Sequence, residues 1–157
     1  KNIIYDCYFY ADFKNGVGHA EIIKSKNLFY VVEIAGRGPG FDVFDRFIPL
    51  ITEINIPKLL IKNSIGQNVK FKKSKNKQGI IRYFPSKKGK IINIEGFDYL
   101  NRIKNVYFKK IAKIGDFTNN ANTDGDRLGY IISIDAQKKN AIKRLKQLQK
   151  KIKFKYK

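Results

Sequence analysis

The chain has 157 residues, 43% of them hydrophobic, enough for one good core or two small ones, which excludes a disordered polymer. No apolar run approaches the roughly 18 residues of a membrane span, no secretory pattern opens the chain, and the single Cys7 excludes an internal disulfide and fits a reducing, cytoplasmic compartment. The net charge of +20 invites a nucleic-acid reading, but 27 of the 33 basic residues are Lys, accompanied by 14 Asn and 24 Ile spread along the chain, a compositional bias rather than a guanidinium-rich phosphate surface.

Residues 1–14 place Ile4, Tyr5, Tyr8, Phe9 and Phe13 at spacings of three and four. This predicts a helix with one apolar face, a short strand being the alternative, closed by Asn15-Gly16. Cys7 reads as a small hydrophobe among these aromatics, since the only imidazole able to activate it is His19. Residues 18–24 and 28–35 read as two strands, and the polar turn Ser25-Lys26-Asn27 between them suits an antiparallel hairpin. Gly36, Gly38, Pro39 and Gly40 break the second strand. Asp42 reads as an N-cap, with Asp45 as its capping-box partner, for a helix over about 43–53. Ile54 to Ile56 forms a strand or turn, and a short helix runs from Pro57 to Ser64, ended by Gly66.

From Val69 the character changes. Lys72 to Gln78 is a charged loop. Gly79 to Phe84 and Lys90 to Glu95 read as strands joined by the turn Ser86 to Gly89. Phe97 to Asn101 is a short helix, Val106 to Ile114 a strand, Asp116 to Gly125 a polar loop, and Leu128 to Asp135 a further strand. Asp135 caps a helix from Ala136 to about Lys151, with Ala141, Ile142, Leu145 and Leu148 as its apolar stripe. Ile152, Phe154 and Tyr156 alternate as a last strand. The expectation is an α+β chain divided into residues 1–66, with the hairpin and helices, and residues 67–157, a β-rich unit closed by a helix. With no long linker between them, the two are expected to pack together.

The stretch from Gly18 to Gly40 carries the chemistry. Side chains alternate across a sheet with period two, so His19, Glu21 and Ile23 share one face of the first strand. Val31, Glu33 and Ala35 share a face of the second, with Arg37 following in register, while Val32 and Ile34 point the other way, toward a core. Two carboxylates in phase across a hairpin suit a hard divalent cation that completes its shell with water and phosphate oxygens. Arg37, four residues after Glu33, adds a cation able to clamp an anionic transition state. Gly36, Gly38 and Gly40 leave backbone N–H groups open to an anion. Taken singly, each feature has a plainer reading as a surface ion pair or an ordinary turn; their shared phase carries the functional one.

The hairpin resembles the C-terminal part of the ATP-grasp superfamily, the catalytic module of biotin carboxylase, the carbamoyl-phosphate synthase large chain and related carboxylate–amine ligases. The family shows a metal ligand on one strand and, about a dozen residues later, Glu-x-Asn-x-Arg; here Glu21 is followed by E-I-A-G-R, with Glu33 and Arg37 on the motif. Gly16, His19 and Glu21 fit a G-x-x-H-x-E form of the first strand found in members with amino-acid substrates. Further along, G-I-I-R-Y-F-P and G-D-R-L-G-Y-I-I resemble the family's β-rich C-terminal extension. The resemblance implies the C-terminal lobe of an ATP-grasp fold, an antiparallel sheet with helices, followed by the β-rich domain. It implies ATP with Mg²⁺ (or Mn²⁺) as cofactors, and a carboxylate and an amine as substrates joined through an acyl-phosphate. Glu21 would bind one Mg²⁺, Glu33 would bridge two, Arg37 would be catalytic, and His19, Gly38 and Gly40 would contact the acceptor. The family's Asn position is Ala35, which offers no oxygen to a metal.

The resemblance also implies an N-terminal lobe with the nucleotide-holding loop and lysines. Only 17 residues precede Gly18 and there is no methionine even at the start, so the chain is expected to be a fragment, inactive alone, whose partner is the missing lobe of the same polypeptide; a homodimer stays open. The alternatives are a basic module for nucleic acid or another polyanion, disfavoured by the lack of aromatic–basic RNA motifs, and a non-catalytic ATP-grasp relative, suggested by Ala35.

Overall fold

The computed structural model describes residues 3–70 and 77–157. The fold is α+β, and its contacts gather into two compact units, Lys1–Pro49 with Ile54–Lys73, and Leu50–Glu53 with Ser74–Lys157. Most of the charged loop predicted from Lys72 lies outside the described residues.

In the first unit, helix α1 covers Ile3–Tyr10 and strands β1 (His19–Ser25) and β2 (Leu28–Ala35) form an antiparallel hairpin. Helix α1 ends earlier than Asn15-Gly16 suggests: Asp12, at φ 54°, takes the left-handed position, and the Phe13 N–H donates to the Tyr8 oxygen at 3.0 Å. The predicted helix over 43–53 is a π-helical turn, Val43–Phe47, running into helix α2, Ile48–Thr52. Asp42 does not cap it through its side chain. Phe41 and Asp42 both sit left-handed, at φ 52° and 58°, whereas a capping residue needs extended backbone. Helix α3, Ile56–Ser64, is capped by Asn55, whose side chain accepts the Lys58 N–H at 2.9 Å, with Pro57 in its first turn.

The second unit holds the core. Strand β7 (Arg127–Asp135) lies between β3 (Gln78–Pro85) and β5 (Val106–Lys110), antiparallel to both. Its residues 128–134 are all buried, so it reads as a continuous apolar run rather than an alternating one. Strand β4 (Gly89–Glu95) lies between β6 (Phe117–Thr118) and β8 (Lys153–Tyr156) in a second three-stranded sheet. Thus β3 and β4, consecutive in sequence, enter different sheets, and β6 falls within the stretch expected to be a polar loop. Helix α4 is Phe97–Leu100, preceded by Gly96 at φ 92°.

Helix α5, Lys138–Gln149, buries Ala141, Leu145 and Leu148. Asp135 accepts the Gln137 N–H at 3.1 Å just before it. Arg144 ties the helix back to β7, donating to the Ile134 oxygen at 2.9 Å and to the Asp135 carboxylate at 2.7 Å. The interior packs Phe84, Ile91, Phe97, Leu100, Leu128, Ile131 and Leu145, with Phe97 in ring contact with Phe84, Phe108 and Phe154.

Leu145→Ala is expected to cost about 2–5 kcal/mol, the range for truncating a buried leucine, read from denaturant unfolding. Gly96→Ala should also destabilise, because its Cβ would lie 2.3 Å from the Lys151 oxygen on a backbone that side chains rarely adopt. The second unit should also lose stability in acid. Backbone and side-chain donors lower the Asp126 carboxyl below its ordinary value near 3.8; the Gln137 N–H and then Arg144 do the same for Asp135. A lowered carboxyl adds stability that is complete above the ordinary value and lost as pH falls through the lowered one. Asp135→Asn should flatten that acid limb in a pH series of unfolding midpoints.

Candidate functional site

Pairing in the hairpin brings the predicted residues together. Glu21 and Glu33 are direct cross-strand partners, and so are His19 and Ala35. Partners directly opposite share a face, and residues two apart on a strand share it too, so His19, Glu21, Glu33 and Ala35 form one patch. Arg37, four residues beyond Glu33, places Nη2 3.5 Å from the Glu33 carboxylate and Nη1 3.2 Å from the Gly38 oxygen. Glu21, Glu33 and Arg37 are all exposed.

Like charges directly opposite one another across a pair destabilise it. Glu21 and Glu33 stand in that relation, and Arg37 is the cation that the structure sets beside Glu33. Among the described residues no group of three or more His, Cys, Asp or Glu side chains gathers closely enough to cage a metal. A hard Mg²⁺ or Mn²⁺ needs no such cage: one or two carboxylates suffice when water and phosphate oxygens complete the shell, and two opposed carboxylates provide that donor set. Ala35 adds no donor to it.

His19 is half-buried, with Nδ1 enclosed and without a hydrogen-bond partner among the described residues. The glycines expected to offer open backbone differ from one another. A Cβ on Gly38 would strike the Phe44 ring at 2.4 Å, one on Gly36 would press Phe13 at 3.0 Å, and one on Gly40 would meet nothing within 4 Å. Gly38 is thus a seat for an aromatic ring, a role that sequence spacing does not reveal, whereas Gly40 is open.

The apolar back of the hairpin departs from expectation. Val32, predicted to point to a core, is 58% exposed, and Ile34 is half-buried. Elsewhere on the hairpin Ile23, Leu28, Phe29 and Tyr30 are exposed as well. The sheet has two strands only, and no described residue up to position 70 is fully buried. An apolar cleft of about 360 Å³ does lie in this unit, between Val17 and α3 at Leu59, Leu60 and Asn63, but none of the predicted site residues lines it. No helix among the described residues is long and apolar enough to cross a membrane.

Residues 82–157 match the family model for L-amino acid ligase C-terminal domain 2. No curated protein sequence matches the chain. Among solved structures, the chain is similar to an L-amino acid ligase from Bacillus licheniformis, at a TM-score of 0.84 and 16% identity over 99% of this chain and 40% of that one. It is similar to a phosphoribosylglycinamide synthetase from Anaerococcus prevotii, at 0.80 and 17% over 98% of this chain and 40% of that one. It is also similar to a biotin carboxylase in a beta-gamma-ATP complex from Campylobacter jejuni, at 0.67 and 17% over 90% of this chain and 32% of that one. The chain therefore spans 40% or less of the length of these structures. Identities this low speak to fold, and the fold is that of the C-terminal portion of the ATP-grasp ligases, its last 76 residues matching the L-amino acid ligase domain.

Proposed function

We propose that this chain supplies the cation-and-phosphate face of an ATP-dependent carboxylate–amine ligase, one jaw of a site whose nucleotide-holding jaw lies outside these 157 residues. The observation that carries the reading is the direct opposition of Glu21 and Glu33, with Arg37 beside Glu33. The likeness to ligase structures, one of them named as an ATP complex, supports it.

In this reading Glu21 and Glu33 are the residues that would hold Mg²⁺. A metal held there would supply charge neutralisation to phosphate oxygens during phosphoryl transfer to a carboxylate. Arg37 lies against the charge that builds up when an amine attacks the resulting acyl-phosphate, and a guanidinium fixed by Glu33 and the Gly38 oxygen reorganises little at that moment. His19 and the backbone at Gly38 and Gly40 contact the acceptor. Ala35 offers no oxygen, so a second cation would take a water in its place, or be held more weakly, or the activity would be altered. The exposed apolar back of the hairpin is the surface on which the remainder of the catalytic lobe packs.

A second reading, attachment to a polyanion, is favoured by one observation: residues 138–157 carry ten basic side chains and no acidic one, and their lysines are exposed. It predicts affinity for nucleic acid that falls steeply with salt and survives Glu33→Gln.

In the complete ligase, Glu33→Gln should abolish turnover with the fold intact by circular dichroism, and Arg37→Ala should cost about 100- to 1,000-fold in kcat, the scale of losing one transition-state donor. Calorimetry of the 157-residue chain should find no tight Mg²⁺-dependent ATP complex; a tight one overturns the two-jaw reading. Without metal, Glu21→Gln should stabilise the hairpin by about 0.2–1 kcal/mol through relief of like-charge opposition, seen as slower amide exchange in β1 and β2.

A further inference from the structure

Tyr8 reaches from helix α1 to the open end of the hairpin. Its hydroxyl lies 2.7 Å from the backbone oxygen of His19 and 3.1 Å from that of Ala35. Those two residues are cross-strand partners, one beginning β1 and the other ending β2, so a single side chain touches both strands where they would otherwise splay apart. The one hydroxyl proton favours the nearer His19 oxygen, with the Ala35 oxygen in reach. The ring lies on Gly18, where a Cβ would come within 2.5 Å of the Tyr8 Cζ, and it packs against Phe13 at 5.2 Å between centroids. The position is thus set by shape as well as by the hydroxyl.

Glu21 and Glu33 stand two residues further into the hairpin, about 7 Å along the strands. On their other side the register shifts between Glu21 and Ile22. A bulge loosens the ladder and bends the strand, and beyond it β1 is exposed throughout. The two carboxylates therefore lie between a fault in the ladder and the tie made by Tyr8. Their mutual repulsion acts to part the strands at this point.

We propose that Tyr8 is the positioning residue for the Glu21–Glu33 pair: by tying the His19 and Ala35 carbonyls it keeps both carboxylates in register on one face, where a divalent cation would meet both. The inference rests on the reading of that pair as a cation site. Tyr8 touches neither the cation nor a substrate and acts through the backbone.

The test is a Mn²⁺ titration of the chain, followed by paramagnetic broadening of the backbone amide signals in β1 and β2, for the wild type, Tyr8→Phe, Gly18→Ala and the double variant. Tyr8→Phe removes the hydroxyl and keeps the ring; Gly18→Ala keeps the hydroxyl and pushes the ring away. Each is expected to raise the Mn²⁺ midpoint about tenfold, the equivalent of one net hydrogen bond. The double variant should be no weaker than the worse single one, because both break the same tie. Amide exchange should quicken in the hairpin and stay unchanged in β7, which separates loss of position from loss of fold. An unshifted midpoint in either variant, or additive losses, overturns the role of Tyr8. A wild type whose hairpin signals ignore Mn²⁺ while Glu33→Gln behaves identically overturns the cation site itself, a result distinct from a site that binds Mn²⁺ with or without Tyr8.

Discussion

Antiparallel pairing of β1 with β2 sets Glu21 opposite Glu33, and a slip of one residue would turn one of those side chains to the opposite face. Register is usually enforced by a buried face, since a slip would expose apolar groups. This hairpin lacks that enforcement: Val32 and Phe29 are exposed, and no described residue up to position 70 is fully buried. What holds the ladder instead is local. A two-residue turn with Lys26 at φ 52° closes one end, and the Tyr8 hydroxyl bridges the other. The two closures set alignments that differ by one residue, across the shift between Glu21 and Ile22, and the charged face lies on the Tyr8 side of that shift.

The two units embody different ways of being stable. In the second, seven consecutive buried residues of β7 pack between sheet neighbours and helix α5, and Arg144 satisfies the Ile134 and Asp135 oxygens at the seam. Burial of this kind supplies most of a domain's folding free energy. The first unit draws on aromatic contacts, such as Tyr5 with Phe9 and Tyr8 with Phe13, and on turns and caps. A two-stranded hairpin is marginal by itself in water. The candidate chemistry thus sits on the less buried unit, the kind of region whose order is readily adjusted by what binds to it.

Much of this was legible in the sequence where the signal is local and periodic. Period-two alternation placed Glu21 and Glu33 on one face, and the stripe Ala141, Ile142, Leu145 and Leu148 announced α5, where all but Ile142 are buried. The failures came where distant residues decide. Asp42 has a capping side chain, but the left-handed backbone at Phe41 and Asp42 denies it the geometry. Thr118 and Phe117 form a strand only because β4 offers them an edge. Val32 alternates as a core residue should, yet burial depends on what lies opposite, which alternation cannot report. The helix end moved from Gly16 to Asp12 because Asp, like Gly, tolerates the left-handed turn. At the site, the tie from Tyr8 spans 27 positions to Ala35 and leaves no trace in local pattern.

Three glycines around the charged face each carry a ring: Gly18 under Tyr8, Gly36 under Phe13 and Gly38 under Phe44. Each pair works as a fixed sum of volumes, with the ring occupying the space a side chain would take. A larger residue at Gly38 becomes acceptable only once Phe44 has shrunk, and a smaller residue at 44 leaves a void that invites growth at 38. Substitutions along this stretch are therefore tolerated most readily as compensating pairs, a shrinking ring making room for a growing glycine. The strand that bears the charges is in this sense held in place from both ends of an exchange that no single residue records.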